Sequence, residues 1–289
     1  MKDLITPKQV ARAIHVSESS VKRWCDRGMI PTQYTGGGHR RIPLQGLLTF
    51  LRSSKYELRA PEVLGLPATT GRTVRVVDRA AGELTAALMH GDEQQSRQIV
   101  LDLYLAGHGV AVICDQVLAE SFRSIGDCWR TGGAEVYQER RGCEIARRVL
   151  HELRMLASPS ANAPVAIGGS VEGDQYSLAT SMVELVLRGA DWNAVSLGEN
   201  LPFGTLAAAI KEHRPRLFWL SISYLGDERA FLRGYGELFD TFGADVAFVV
   251  GGRALQEPVR QRMKYALCCD TLQQLAVYSH GLRADIAGP

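Results

Sequence analysis

Residues 165–198, VAIGGSVEGDQYSLATSMVELVLRGADWNAVSLG, decide the fold of the C-terminal part of this chain. The segment opens on a short apolar run, Val165 to Gly169, that ends in two glycines. A polar loop, Ser170 to Ser177, leads into a helical pattern that places Met182, Leu185, Val186 and Leu187 on one inner face. Gly189 closes that helix, and a second β-prone run, Asn193 to Leu197, ends at Gly198. Strand, loop, helix and strand at this spacing predict a βαβ unit of a parallel sheet. Its ligand side lies at the C-terminal ends of the strands.

The alternation continues to the end of the chain. A helix is expected from Pro202-Phe203-Gly204 to His213, a strand over Leu217–Ser221 and a helix over Asp227–Phe242. A fourth strand, Val246 to Val250, runs into Gly251-Gly252; a fifth covers Tyr265–Cys269, and a last helix Thr271–Arg283. Residues 164–289 therefore read as a doubly wound, five-stranded parallel sheet. Gly251-Gly252 is no dinucleotide fingerprint, because it ends a strand and lacks the third glycine.

Upstream, residues 73–157 are helical almost throughout. One helix reaches His90-Gly91, Asp92 caps the next, a third spans Val110 to Trp129, and a fourth runs Glu135 to Leu156. The last would turn Val136, Cys143, Ala146, Val149 and Leu150 to one side. Four such helices predict a compact bundle. Residues 54–72, with Pro61, Gly65, Pro67 and Gly71, read as a linker, and SPSANAP (158–164) as a second, shorter one.

Residues 1–53 carry their own signals. Thr6-Pro7-Lys8-Gln9 is a helix start with an N-cap, a proline at the first helical position and a glutamine three residues after the cap. Ser17 caps a second helix, Glu18 to Arg27, which Gly28 stops. Two short helices joined by a tight turn form a helix-turn-helix, in which Val21 and Trp24 face inward and Ser19, Ser20, Lys22 and Arg23 are left for a DNA groove. A glycine-rich hairpin tip, Gly36-Gly37-Gly38, precedes His39, Arg40 and Arg41, a basic wing able to reach phosphates; Leu44–Leu51 completes a third helix.

Charge follows the same division. The chain has 289 residues and a net charge of +2. The first 53 residues hold nine Lys/Arg against three acids, a net of +6, which leaves −4 on the rest. A basic head on an acidic body points to a nucleic-acid partner for the head alone. Six cysteines lack any Cys-x-x-Cys spacing, so a zinc knuckle is not expected, and Cys268-Cys269 read as packing residues. No charged-then-apolar leader and no uncharged run of membrane-spanning length occur, which predicts a cytoplasmic protein without a membrane partner. No Walker loop, nucleophile elbow or acid–base pair appears, so no catalytic residue is assigned and the chain does not read as an enzyme.

Three stretches carry a family resemblance. Asp174-Gln175-Tyr176-Ser177-Leu178-Ala179, Ser221-Ile222-Ser223 and Gly251-Gly252 resemble, in order and spacing, the Asp-x-His-x-x-Gly, Ser-x-Leu and Gly-Gly of cobalamin-binding domains of the methionine synthase and mutase type. Tyr176 stands where that pattern has the cobalt-ligating histidine, and Ala179 where it has its closing glycine. Trp129, nine intervening residues and Glu139 resemble the Trp-x9-Glu-His of helical cobalamin caps, with Arg140 at the histidine position. The head, with GGGHRRIP, resembles the MerR family of winged helix-turn-helix regulators.

Nearly the whole chain is thus similar to the light-responsive, cobalamin-linked carotenoid repressors of that family. The resemblance implies operator DNA as partner, a homo-oligomer (dimer or tetramer), and cobalamin as cofactor. Its site would comprise Trp129, Glu139, Arg140, Asp174, Tyr176, Ser221, Ser223, Gly251 and Gly252, with no protein metal ligand.

Coordination chemistry separates this chain from that pattern. Imidazole is a good cobalt ligand and a preceding Asp orients it. A phenol with a pKa near 10 must first lose a proton. Ala179 adds a methyl group where the nucleotide tail would pass. Three states are therefore open: cobalamin with altered coordination, another flat ligand, or a closed pocket. If the loop descends from a ligating one, Tyr176 should stand at the C-terminal edge of the first strand, its ring in the space between sheet and bundle towards Trp129 and Glu139. Tyr176→His, with or without Ala179→Gly, would then raise cobalamin affinity in an otherwise intact pocket. The expected function is a repressor whose C-terminal module drives oligomerisation without histidine-ligated cobalamin. The alternatives are a cobalamin-dependent light sensor with altered coordination and a corrinoid-handling enzyme subunit.

Overall fold

The computed structural model describes residues 4–66, 70, 77–157 and 159–287, and divides into two compact units, 1–156 and 157–289. Each unit is described by itself.

The first unit begins with β1 (Leu4–Ile5) and α1 (Pro7–Ala13). Thr6 and Gln9 close a reciprocal capping box on α1, so the side-chain and backbone donors at its start are met locally. Ser17 caps α2 (Glu18–Asp26), whose Val21, Trp24 and Cys25 are buried. β2 (Gln33–Tyr34) and β3 (Arg40–Pro43) form the wing hairpin, and β1 pairs antiparallel with the other edge of β3. The third helix, α3 (Leu44–Ser53), brings Phe50 against Trp24, ring centroids 5.1 Å apart, and Tyr56 packs on both rings.

The head does not stop at residue 53. Leu58, Leu64 and Leu66 are buried, the N–H groups of Arg59 and Ala60 both donate to the Ala13 carbonyl, and Pro61–Leu64 form a 3-10 turn. Proline and glycine content made 54–72 read as a linker, but its apolar residues complete the head's core. Residues 67–69 and 71–72 lie outside the described residues, as do 73–76.

The helical part comprises α4 (Val77–His90), α5 (Glu93–Leu105, capped by Asp92), α6 (Val110–Val112), α7 (Glu120–Arg130) and α8 (Val136–Leu156). A π-helical stretch, Ile113–Ala119, joins α6 to α7, so one rod spans the third position of the expected four-helix bundle. Ser121 donates to the carbonyls of Val117 and Ala81, pinning that rod to α4. Gly142, Ile145, Ala146, Val149, Leu150, Leu153 and Leu156 form the buried stripe of α8. Val136, expected inside, is 47% exposed, because the helix begins there and its first turn overhangs the bundle; Cys143 is half-buried. Arg52 of α3 stacks on Tyr104 of α5 and donates to the His108 carbonyl, which fixes the head to the bundle.

The second unit is a parallel sheet ordered β5-β4-β6-β7-β8, with β4 (Val165–Gly169), β5 (Asn193–Ser196), β6 (Leu217–Ser221), β7 (Ala247–Gly251) and β8 (Leu267–Cys269). The helices are α9 (Ser177–Gly189), α10 (Phe203–His213), α11 (Glu228–Phe242), α12 (Glu257–Arg260) and α13 (Leu272–Ala287). Strand order reverses between β4 and β6, so their C-terminal loops flank the switch point at which open α/β sheets bind ligands. Ile167, Phe218, Leu220, Phe248 and Val250 pack on one face with residues of α10 and α11. The 159–164 segment is anchored rather than free: Ser160 donates its N–H and hydroxyl to Asp191, and Ala163 is buried. The fifth strand is shorter than the expected Tyr265–Cys269, and α12, four residues long, is too short to give a periodic signal.

Candidate functional site

The first candidate surface lies on the head. Ser17 accepts from Ser20 N–H, and its hydroxyl also meets those of Ser19 and Ser20 at 2.9 and 2.8 Å. The two serines proposed for the groove are therefore tied into the cap of α2. Lys22 pairs with Glu18 across one turn, an exposed pair worth only about 0.3–0.5 kcal/mol, so it exchanges readily for a phosphate. Arg23 is exposed and has no ion partner among the described residues.

The wing is less free than its sequence suggests. Arg40 bonds Asp26 of α2 at 2.5 Å and Tyr34 of β2 through Nε. The Tyr34 bond, ahead of the opposing desolvation, raises its already high pKa. The ion pair with Asp26 locks the wing to α2. Arg41 donates to the Arg40 carbonyl, and His39 is exposed at the tip. Between the start of α1, α2 and the wing runs a groove of about 450 Å³, lined among others by Lys8, Lys22, Tyr34, His39, Arg40 and Arg41. Lys8 and Tyr34 were not singled out from sequence. Lys8 follows the proline of the capping box, and Tyr34 precedes the glycine tip by two residues, positions legible only once the hairpin is folded.

The second candidate site sits on the loops at the switch point. Asp174 is fully buried. Its Oδ1 accepts from the Tyr176 N–H at 3.0 Å; its Oδ2 accepts from the N–H groups of Ser223 at 2.5 Å and Tyr224 at 3.2 Å. One carboxylate thus ties the β4–α9 loop to the β6–α11 loop, with both oxygens committed to backbone donors. The Asp174 carbonyl accepts from Asn200 N–H, which brings in the loop after β5.

Tyr176 occupies the N-cap position of α9 and is 37% exposed. Its ring lies under the guanidinium of Arg253, 4.9 Å from the centroid, and Arg253 in turn donates to the Ser223 carbonyl. Arg253, directly after the glycine pair, is a residue that sequence reasoning passed over. Gly252 has φ +117°, and a Cβ there would stand 2.3 Å from the Ile222 carbonyl oxygen, so this glycine serves a close backbone crossing over β6. Ser221 is buried and Ser223 is engaged through its backbone. Asp174, Tyr176, Ser223 and Gly252 are therefore brought together.

The remaining expected ligand residues belong to the first unit. Trp129, 50% exposed, lies near the end of α7. Glu139, half-buried, and Arg140, exposed, lie in the first turns of α8 beyond the connection at 131–135. The vicinal cysteines are both half-buried and outside any disulfide, Cys268 packing on the α10/α11 side. Among the described residues no group of His, Cys, Asp and Glu is arranged to hold a metal, and no helix is long and apolar enough to cross a membrane.

Family models match two parts of the first unit. Residues 4–55 match a helix-turn-helix domain family, and residues 80–154, within the bundle, match a B12 binding domain family. A search of curated proteins returns no match. Among solved structures, the monomethylamine corrinoid protein of Methanosarcina barkeri is similar in fold, with TM-score 0.56 and 14% identity over 72% of this chain and all of that one. A cobalamin-binding protein from Desulfitobacterium hafniense DCB-2 has 18% identity and TM-score 0.38 over 72% of this chain and 100% of its own. The chain joins a helix-turn-helix domain to a cobalamin-binding-type module.

Proposed function

We propose that this chain is a DNA-binding transcription regulator, a repressor of the MerR type. On this reading its α/β module drives assembly into at least a dimer and works without histidine-ligated cobalamin. The observation that carries the proposal is the pairing of a basic helix–wing groove with a switch-point loop whose buried carboxylate, Asp174, is already engaged by backbone donors. Lys22 and Arg23 present the second helix to a major groove, while Arg41, His39 and Lys8 meet phosphates on either side. Arg40 holds the wing in place through Asp26. One such head covers a single half-site, so useful affinity requires a second copy.

The residues at the switch point do not fit the cofactor that the fold implies. Three of the roughly four acceptor positions of Asp174 already serve backbone donors, which leaves little of it to orient a lower ligand. Tyr176 offers a phenol already covered by Arg253, and Gly252 is consumed by the crossing over Ile222. On this reading no reaction step runs through a corrinoid, and the chain is not an enzyme. The fold it shares with a corrinoid protein keeps a second reading in play, that of a corrinoid-handling subunit; the same experiment separates the two.

That experiment measures binding to the chain's own promoter DNA by fluorescence anisotropy across a salt series. Arg41→Ala should weaken binding to all sequences and lower the salt slope by about one, for the phosphate no longer neutralised, and adding Arg40→Ala should weaken binding further by freeing the wing from Asp26. Arg23→Ala should cut discrimination between operator and random DNA, by about 1–3 kcal/mol if it reads a base. Wild-type protein with no preference for promoter DNA, or unchanged affinity in all these variants, would refute the assignment.

A further inference from the structure

We infer that the indole of Trp219 is a built-in occupant of the slot that a cobalamin-type module keeps for the nucleotide tail, and that it excludes the tail from this protein. The inference rests on the cofactor-independent reading above and deepens it.

Alternation along β6 sends Phe218, Leu220 and Ile222 into the core shared with α10 and α11. Leu217, Trp219 and Ser221 face the opposite side of the sheet. There the indole is 1% exposed, and its Nε1 donates to Thr180 Oγ1 of α9 at 2.9 Å. Thr180 Oγ1 lies 3.2 Å from Ser196 Oγ at the end of β5, so the one polar atom of the indole is held in a small hydroxyl network.

Room for the ring comes from the neighbouring strand. Gly168 of β4 pairs in register with Trp219, and a Cβ at position 168 would stand 2.2 Å from the Trp219 carbonyl oxygen and 2.3 Å from the ring. Even alanine is excluded there. Gly168 and Trp219 form a matched pair, one giving up its side chain to the largest side chain available.

Ser221, one of the residues expected in the cobalamin site, lies two positions further along the same face. A group that enters past the switch-point loops and Ser221 between sheet and α9 meets the indole next. An indole and the benzimidazole-type base of a cobalamin tail are both flat, fused six- and five-membered rings, so the side chain reproduces the shape of the group it displaces. The clasp of Asp174 on Ser223 and Tyr224 ties the β4–α9 and β6–α11 loops together at the switch point. Restoring a histidine at position 176 alone therefore leaves the tail without space.

The test uses full-length protein and two probes, hydroxocobalamin and free benzimidazole. Trp219→Gly should lower the melting temperature of the α/β unit by on the order of 10 °C, as large-to-small core changes do. Millimolar benzimidazole should recover part of that loss saturably and leave wild type unmoved. After desalting, Tyr176→His should retain no hydroxocobalamin, whereas Tyr176→His with Trp219→Gly should retain it with displaced absorption bands. Equal retention by the single and double variants, or a folded Trp219→Gly protein indifferent to benzimidazole, overturns the inference. If Trp219→Gly fails to fold, Trp219→Leu replaces it in the retention comparison, with the same criterion of equal retention. Retention by wild type would instead contradict the cofactor-independent function.

Discussion

Replacing Asp174 with alanine discriminates between a loop-building and a ligand-orienting carboxylate. Asp174 is fully buried and accepts three backbone N–H bonds, from Tyr176, Ser223 and Tyr224. Bonds to a charged acceptor contribute about 1.5–3 kcal/mol each. Two of the three share one oxygen, and water can reach donors near the surface, so the contributions do not add fully. A loss of about 3–5 kcal/mol follows, or about 10–20 °C in the transition of the α/β unit at its size. Circular dichroism or calorimetry on the full chain, without any ligand, reads this directly. Asp174→Asn keeps one acceptor and should fall between the alanine variant and wild type. A ligand-free alanine variant that melts within about 2 °C of wild type would refute the reasoning, because a carboxylate kept to orient a cofactor contributes little in its absence.

A chain cut to residues 1–156, one of the two compact units, should keep the head fold yet bind operator more weakly than the full chain, as sedimentation and anisotropy would show together. Equal affinity and equal oligomeric state would remove the α/β unit from assembly. Burial, then the charge of Glu139, pushes the Cys143 thiol up to about 11 despite Arg140. Its alkylation by iodoacetamide should therefore gain about tenfold per pH unit through the mildly alkaline range; a plateau near pH 9 would contradict this. The same raised value means that the thiol's contribution to stability is complete below its ordinary pKa and is lost as pH rises through about 11.

Much of this molecule was legible in its sequence because local and long-range signals agree. Thr6, Pro7 and Gln9 announced α1, Ser17 announced α2, and the alternation from Val165 onward specified a parallel sheet, though not that its order reverses between β4 and β6. Other features were hidden for physical reasons. Proline and glycine in 54–66 look like punctuation, and only the folded head shows that Leu58, Leu64 and Leu66 have a core to enter. Arg40 reads as one more cation until the hairpin brings it to Asp26. Trp219 reads as an ordinary strand residue, since nothing local shows that its partner across the ladder is Gly168. Asp174 reads as a partner for a ligand, whereas its three bonds run to backbone groups up to 50 residues away, a separation that no motif encodes.

The most direct test of cofactor-independent DNA binding is a single preparation. Protein purified from cells supplied with cobalamin is examined by absorption, then bound to its own promoter DNA in the dark and under illumination. The protein should show no corrinoid bands and the same operator affinity in both conditions. Operator release on illumination that depends on cobalamin would contradict it.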